Sequence, residues 1–389
     1  MNKYIELLTV TGVISVLMVL SNMLNMNSNI ITDFIVWIIP QYFIIVYPQY
    51  AYLILGISCF LILLFFKRNK TEVVDVKRNL GDIMRSSMIM MVIISIFACD
   101  FKMFPKRFYK TKEYGVSLMD VGIGSFLINA GFFNVKRSDK KILKSSLFLA
   151  MLGFIRLGVV TYFDYTVDVT EYGKHLNFYF ILAILDILYI LIRPLNYFAV
   201  GVIVLFTHEY IILGKDGVIP FIFSDIRHTF LCANKEGIAS ILPSLSIVFF
   251  SSALGEIVLL KNISDRKKFK YLLLTTIFFI CGLVYTLRYS EISRRLGNAA
   301  YVFWMLSLHF THAVIGCIIF KFFNLRTLNT QLLINKNMML TFLVSNLIIL
   351  IFNLMFDSMK TSELYANIIN IGYLFITIVI IKLKTILFG

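Results

Sequence analysis

An all-α, polytopic membrane helical bundle is the fold class this sequence predicts, on three observations. Apolar runs near bilayer length recur almost without interruption, separated by short charged hinges. The composition is 59% hydrophobic and 15% charged, whereas a soluble domain carries about a quarter charged residues. The runs are continuously apolar and lack the period-2 alternation of a membrane barrel. A hydrocarbon core roughly 30 Å thick takes about 20 mostly apolar residues per helical span. On that rule about 13 transmembrane helices are expected.

In order they run near Ile5–Asn25, Phe34–Tyr47, Ala51–Phe66, Ile83–Cys99, Ser117–Val135, Ser145–Phe163 and Leu176–Ile192. They continue near Tyr197–Leu213, Ser240–Leu260, Tyr271–Leu287, Ala299–Phe322, Met338–Phe356 and Leu364–Leu383. The second and third are short and fit a helical hairpin bent at Pro48, since proline interrupts a helix. The first has no small-residue cleavage site and is kept as a span. No polar segment is long enough to fold separately, so residues 1–389 form one expected integral-membrane domain. The cysteines Cys59, Cys99, Cys232, Cys281 and Cys317 fall mostly inside runs and show no ligand spacing. Neither a disulfide framework nor a metal site is expected from them.

Lysine and arginine number 37 against 22 acidic residues, a net charge of +15. The excess clusters in short loops, as the positive-inside rule expects, so no nucleic-acid partner is implied. Threading the spans puts Lys67, Arg68, Lys70, Lys77 and Arg78 on one side, with Lys136, Arg137, Lys140, Lys141 and Lys144. Lys261, Arg266, Lys267, Lys268, Lys270, Lys382 and Lys384 share it, and that side should be cytosolic. The loops near 100–116, 164–175, 214–239, 289–298 and 357–363 fall opposite. Asp100–Gly115 breaks the rule, with Lys102, Lys106, Arg107, Lys110 and Lys112 on the wrong side. Service to an anionic headgroup would account for it, and so would a chance departure.

Several charged and polar residues sit where chemistry could use them. Asp100 directly follows the run Met88–Cys99. At that boundary it is either a carboxylate with a raised pKa suited to a base or a helix-end group facing water. Asp120 lies about a turn into an apolar run, where an ionisable group is a functional candidate; pairing with an arginine such as Arg156 is the alternative. Glu171 and His175 are four apart, so one helical face could carry a carboxylate beside an imidazole base. Arg107, Arg156, Arg294 and Arg295 are candidates for phosphate, which a planar guanidinium grips with two bonds.

Five stretches, in order, carry a resemblance. DFKMFPKRFYKTKEYGVSLMDVGIGSF from Asp100, VTEYGKHLNFYFILAIL from Val169, ANKEGIASI from Ala233, SRRLGNAAYVFW from Ser293 and, more weakly, INKNMMLTFLVSNL from Ile334 resemble motifs of the glycosylphosphatidylinositol (GPI) inositol acyltransferases. Lys102 stands where that family usually has Pro, Leu176 where it has Trp and Met338 where it has Gly. The sequence starts almost at the first run, where that family usually has a longer polar and amphipathic N-terminus. The resemblance implies a multi-pass enzyme of the endoplasmic reticulum membrane. It would move a fatty acyl group, typically palmitoyl, from acyl-CoA to an inositol hydroxyl of glucosaminyl-phosphatidylinositol. No permanently bound cofactor is implied, and acyl-CoA is a co-substrate. The motif loops would be lumenal and the C-terminus cytosolic.

It further implies that Asp100 and Lys110 act as a catalytic pair. Arg107, Asp120, Arg156, Glu171, His175, Asn177, Asn234, Glu236, Arg294, Arg295 and Asn298 would support them or bind substrate. A secondary transporter and a non-catalytic lipid-binding membrane subunit are the readings from other classes. The absence of an internal repeat weighs against the first, and the density of charge on one side against the second.

Overall fold

The computed structural model describes residues 3–24, 29–64, 76–163, 168–214, 217–323 and 328–388. Lys67, Arg68 and Lys70 lie outside them. All regular structure among the described residues is helical. We number the helices α1 (Lys3–Leu24), α2 (Ile30–Val46), α3 (Pro48–Leu64), α4 (Val76–Ala98), α5 (Leu118–Asn134), α6 (Asp139–Tyr162), α7 (Phe178–Ile192) and α8 (Tyr197–Gly214). Short α9 (Val218–Phe223) and α10 (Phe230–Ala233) lead into α11 (Lys235–Leu260), α12 (Asp265–Thr286) and α13 (Ala299–Phe323). The chain closes with α14 (Asn329–Lys336), α15 (Met338–Met355) and α16 (Glu363–Phe388).

Every expected apolar run coincides with a helix, but length does not make each one a span. Eight helices among the described residues are long and apolar enough to cross a membrane. These are α1, α6, α8, α11, α12, α13, α15 and α16. The pair α2 and α3 would make a ninth, bent by 118° at the break before Pro48. Tyr47, restricted by the following proline, leaves the helix at φ −124° and ψ 66°. Within α4, Met84–Ala98 is a shorter apolar stretch. At 1.5 Å per residue, α5 and α7 reach roughly 26 and 23 Å, short of a full hydrocarbon core.

The chain groups into two compact units, Met1–Lys110 with Ser117–Gly122 and His312–Gly389, and Thr111–Val116 with Ile123–Thr311. In the first, α4 is the core helix, and Ile89, Met90, Ile93, Phe97 and Ala98 are fully buried. Phe97 meets Phe101, Phe352 and Tyr373 at ring-centroid distances of 5.2, 5.2 and 4.6 Å, the spacing at which offset aromatic pairs attract. Tyr42 donates to Asn367 Oδ1 at 2.7 Å, Asn367 Nδ2 to Tyr47 at 2.7 Å and Tyr47 to Glu363 Oε1 at 2.8 Å. This chain of bonds ties the α2–α3 corner to α16.

In the second unit α11 is enclosed on every side, with each residue from Pro243 to Ser252 buried. A helix so enclosed needs small residues where backbones approach. A Cβ added to Gly131 would lie 2.2 Å from Val248 O, and one added to Gly255 2.3 Å from Phe132 O. Ser252 Oγ donates to Gly131 O and Ser246 Oγ to Gly201 O, both at 2.9 Å. By contrast α6, α8 and α12 expose apolar rows that include Leu147, Met151, Phe154, Phe206, Tyr210 and Leu274, a surface suited to acyl chains.

Candidate catalytic carboxylate and a buried charge network

Asp100 lies two residues beyond α4, in a turn where its amide donates to Phe97 O at 3.2 Å. Its Oδ2 accepts from Asn353 Nδ2 at 2.8 Å, and the Cys99 thiol approaches Oδ1 at 3.8 Å. Burial pushes this carboxyl above the usual carboxylate range, and the Asn353 and Cys99 donors offset part of the rise. The loop that follows folds back on the helix end. Phe104 and Phe108 are buried, and Tyr109 donates to Cys99 O at 2.6 Å.

Lys110 belongs to the same unit and is half-buried. The side-chain nitrogen bonded to the carboxylate is that of Asn353, 253 residues along the chain. Arg107, proposed for phosphate, has a carboxylate partner. Its Nε and Nη2 fork onto the Glu6 carboxylate at 2.8–3.1 Å, fixing the loop to α1. Asp120 is buried and accepts from Ser117 Oγ at 2.8 Å, while its own amide donates to that hydroxyl at 3.2 Å. This is a capping arrangement at the start of α5.

The second unit gathers Glu171, His175, Asn177, Asn234, Glu236, Arg294, Arg295, Asn298 and Arg156. At its centre is Glu236, whose side chain is 0% exposed. Its Oε1 accepts from Arg227 Nη2 at 2.7 Å and from Arg295 Nη2 at 2.9 Å, and its Oε2 accepts from Arg227 Nη1 at 3.0 Å. Arg295 also donates to Ile222 O at 2.9 Å and lies over the Phe223 ring. Lys235 is buried, donates to Ser224 O, Ser224 Oγ and Ile226 O at 2.6–3.2 Å, and lies over Phe221. Arg295 is therefore committed to a carboxylate. Arg294 is buried and Arg156 half-buried, and the charges of both bear on the Tyr172 phenol. Burial nevertheless pushes that phenol above its ordinary pKa.

Residues 168–177 form turns, not the helix expected to pair Glu171 with His175. Gly173 takes φ +97°, a region that an L side chain enters only with strain. The His175 ring stacks on Phe230 at 5.8 Å and 10°. Asn234 Oδ1 accepts the amides of His175 and Leu176 at 2.8 and 2.9 Å. Asn177 caps α7, accepting from Tyr179 and Phe180 amides at 3.0 and 3.3 Å, and donates to Gly153 O at 3.0 Å. Asn298 accepts from the Ser293 and Tyr301 amides, both at 3.1 Å, at the start of α13. The three asparagines shape backbone.

Asn353, Glu6, Arg227 and Lys235 escaped the sequence reading. Asn353 did carry a signal, as the one polar residue between Leu347 and Phe356. Arg227 carried none, because it lies in a loop without a motif.

The contact between the two loops predicts its own weak point. A Cβ on Gly173 would meet Asn234 Cα at 2.4 Å and Ala233 O at 2.5 Å. Gly173→Ala combines this clash with a disfavoured φ and should destabilise by roughly 2–4 kcal/mol. Gly158→Ala meets nothing within 4 Å and should be neutral. Thermal unfolding of both in detergent checks this, and equal melting temperatures would refute the contact.

The fold and the site together define a multispan helical membrane protein with one partly buried carboxylate at a helix end and a buried charge network between loops. The family model described as GWT1 matches residues 2–383, and the chain belongs to the GWT1 family. It is 31% identical over 361 residues to GPI-anchored wall transfer protein 1 of Candida albicans, covering 79% of this chain and 74% of that protein. The protein of that name from Kluyveromyces lactis is 29% identical over 320 residues, covering 77% and 71%. The one from Schizosaccharomyces pombe is 29% identical over 324 residues, covering 75% and 69%.

Proposed function

We propose that this protein transfers a fatty acyl group, typically palmitoyl, from acyl-CoA to an inositol hydroxyl of glucosaminyl-phosphatidylinositol. Membership of the GWT1 family, with relatives named GPI-anchored wall transfer protein, supports a role in GPI-anchor biosynthesis. The observation that carries the chemistry is Asp100, a carboxylate at the end of an apolar helix with burial raising its pKa. A thioester is already activated, so transfer to an alcohol needs a base for the hydroxyl proton and a donor for the developing oxyanion. In this reading Asp100 takes the proton as the inositol oxygen attacks. The new C–O bond forms, the C–S bond breaks, and Asp100 returns the proton to the CoA thiolate, which leaves as its thiol. Lys110 polarises the thioester carbonyl in this reading, and Arg294 and Arg156 are the candidates for phosphate. The protein works in the endoplasmic reticulum membrane, with its motif loops lumenal and its C-terminus cytosolic.

The test is acyl transfer by the purified protein in detergent, with labelled palmitoyl-CoA and glucosaminyl-phosphatidylinositol. An alkali-labile acylated lipid that depends on the protein is expected. Binding of the lipid with no transfer would favour a lipid-binding subunit. Movement of the unmodified lipid across proteoliposomes, again with no transfer, would favour a transporter.

A further inference from the structure

Asn353 is the only polar residue in the last part of α15, within LIILIFNLMF from Leu347 to Phe356. Its Nδ2 lies 2.8 Å from Asp100 Oδ2. Chemistry fixes which end of the amide faces the carboxylate. A carboxylate only accepts, so the NH2 must point at it and the carbonyl away. Pointing away, Asn353 Oδ1 is buried and has no hydrogen-bond partner among the described residues. Buried polar atoms are nearly always paired, and each exception needs a reason. Here the amide leaves its own acceptor unmatched while it serves the carboxylate.

Among the described residues, the other groups that bear on Asp100 are the Cys99 thiol on its own turn, Tyr109 from the following loop and Tyr373 from α16. Asn353 brings a nitrogen donor to the carboxylate at 2.8 Å. We infer that Asn353 is the positioning residue of the catalytic carboxylate. It holds Asp100 in one orientation and favours the ionised form that accepts a proton. This rests on Asp100 being the base of the acyl transfer proposed above.

A hydrogen bond to the charged form lowers a carboxyl pKa, so losing the donor raises it. The acidic limb of kcat/KM should therefore move to higher pH. In Asn353→Leu, which keeps the volume and removes the donor, the move should be about one pH unit. In Asn353→Asp, which places a second carboxylate beside the first, it should be larger. In both, KM for the lipid and for palmitoyl-CoA should stay within about twofold, because the residue acts through Asp100. Lys110→Met should leave the limb where it is. The measurement uses full-length protein in detergent, at matched monodispersity. Should the leucine variant not fold, the aspartate variant, equal in size and polarity, carries the test alone. An acidic limb at the wild-type pH in the folded variants would overturn the assignment, even if kcat fell. Full turnover in Asp100→Asn would instead remove the base itself, and a wild-type protein without transfer would remove the reaction.

Discussion

Asp100→Asn should lower kcat for acyl transfer by roughly 10²–10⁴-fold, the range typical of a lost general base. The substitution keeps the size of the side chain but cannot take the inositol proton. Its KM values should change little, since the amide still fills the same position. The pH dependence follows from burial. Asp100 titrates above the usual carboxylate range, so wild-type activity should fall with decreasing pH through that raised pKa. The residual activity of Asp100→Asn should lack this limb. Lys110→Met should also reduce kcat. If lysine and carboxylate act on one step, the double variant should be little worse than the poorer single one. Near-normal turnover in Asp100→Asn would end the assignment.

Glu236→Gln should produce the largest loss of stability of any single substitution considered. It leaves the side chains of Arg295, 6% exposed, and Arg227, 18% exposed, facing a neutral amide. Breaking a buried ion pair by removing one partner costs roughly 3–5 kcal/mol, because an uncompensated charge stays buried. The melting temperature in detergent should drop steeply, or monodisperse protein should be lost. Glu236→Asp, which keeps the charge on a shorter stem, should fall between. Adding Arg295→Met to Glu236→Gln should restore part of the loss, since it removes the stranded cation. A Glu236→Gln protein that melts with the wild type would show that the network contributes little.

Local features of the fold were legible in the sequence, and long-range ones were not. Run length alone placed every main helix, and Pro48 marked the bend. The number of spans was harder, because α5 and α7 are mainly apolar yet short, and hydropathy measures apolarity better than reach. At the site, the motif residues were found but their work was often misjudged. Asn177 and Asn298 precede apolar runs, which is the signature of a helix cap, and capping is what they do. His175 was placed on a helical face that Gly173 prevents. Arg107 and Arg295 were assigned to phosphate because their type suits it. Their carboxylate partners, Glu6 and Glu236, lie 101 and 59 residues away, a distance no local pattern spans. The same holds for Asn353 and Asp100.

The spacing of the Glu236 network along the chain gives it an order of assembly. Arg227 precedes the carboxylate by 9 residues, whereas Arg295 follows it by 59, after all of α11 and α12. In chain order, Arg227 and Glu236 are both made before the bulk of the apolar helix that follows them. Arg295 arrives last, and its arrival is the event that fastens the loop before α13 to the loops already in place. A chain stopped before the loop that precedes α13 would hold Glu236 and Arg227 as a neutral pair and would lack the second cation that ties that loop in.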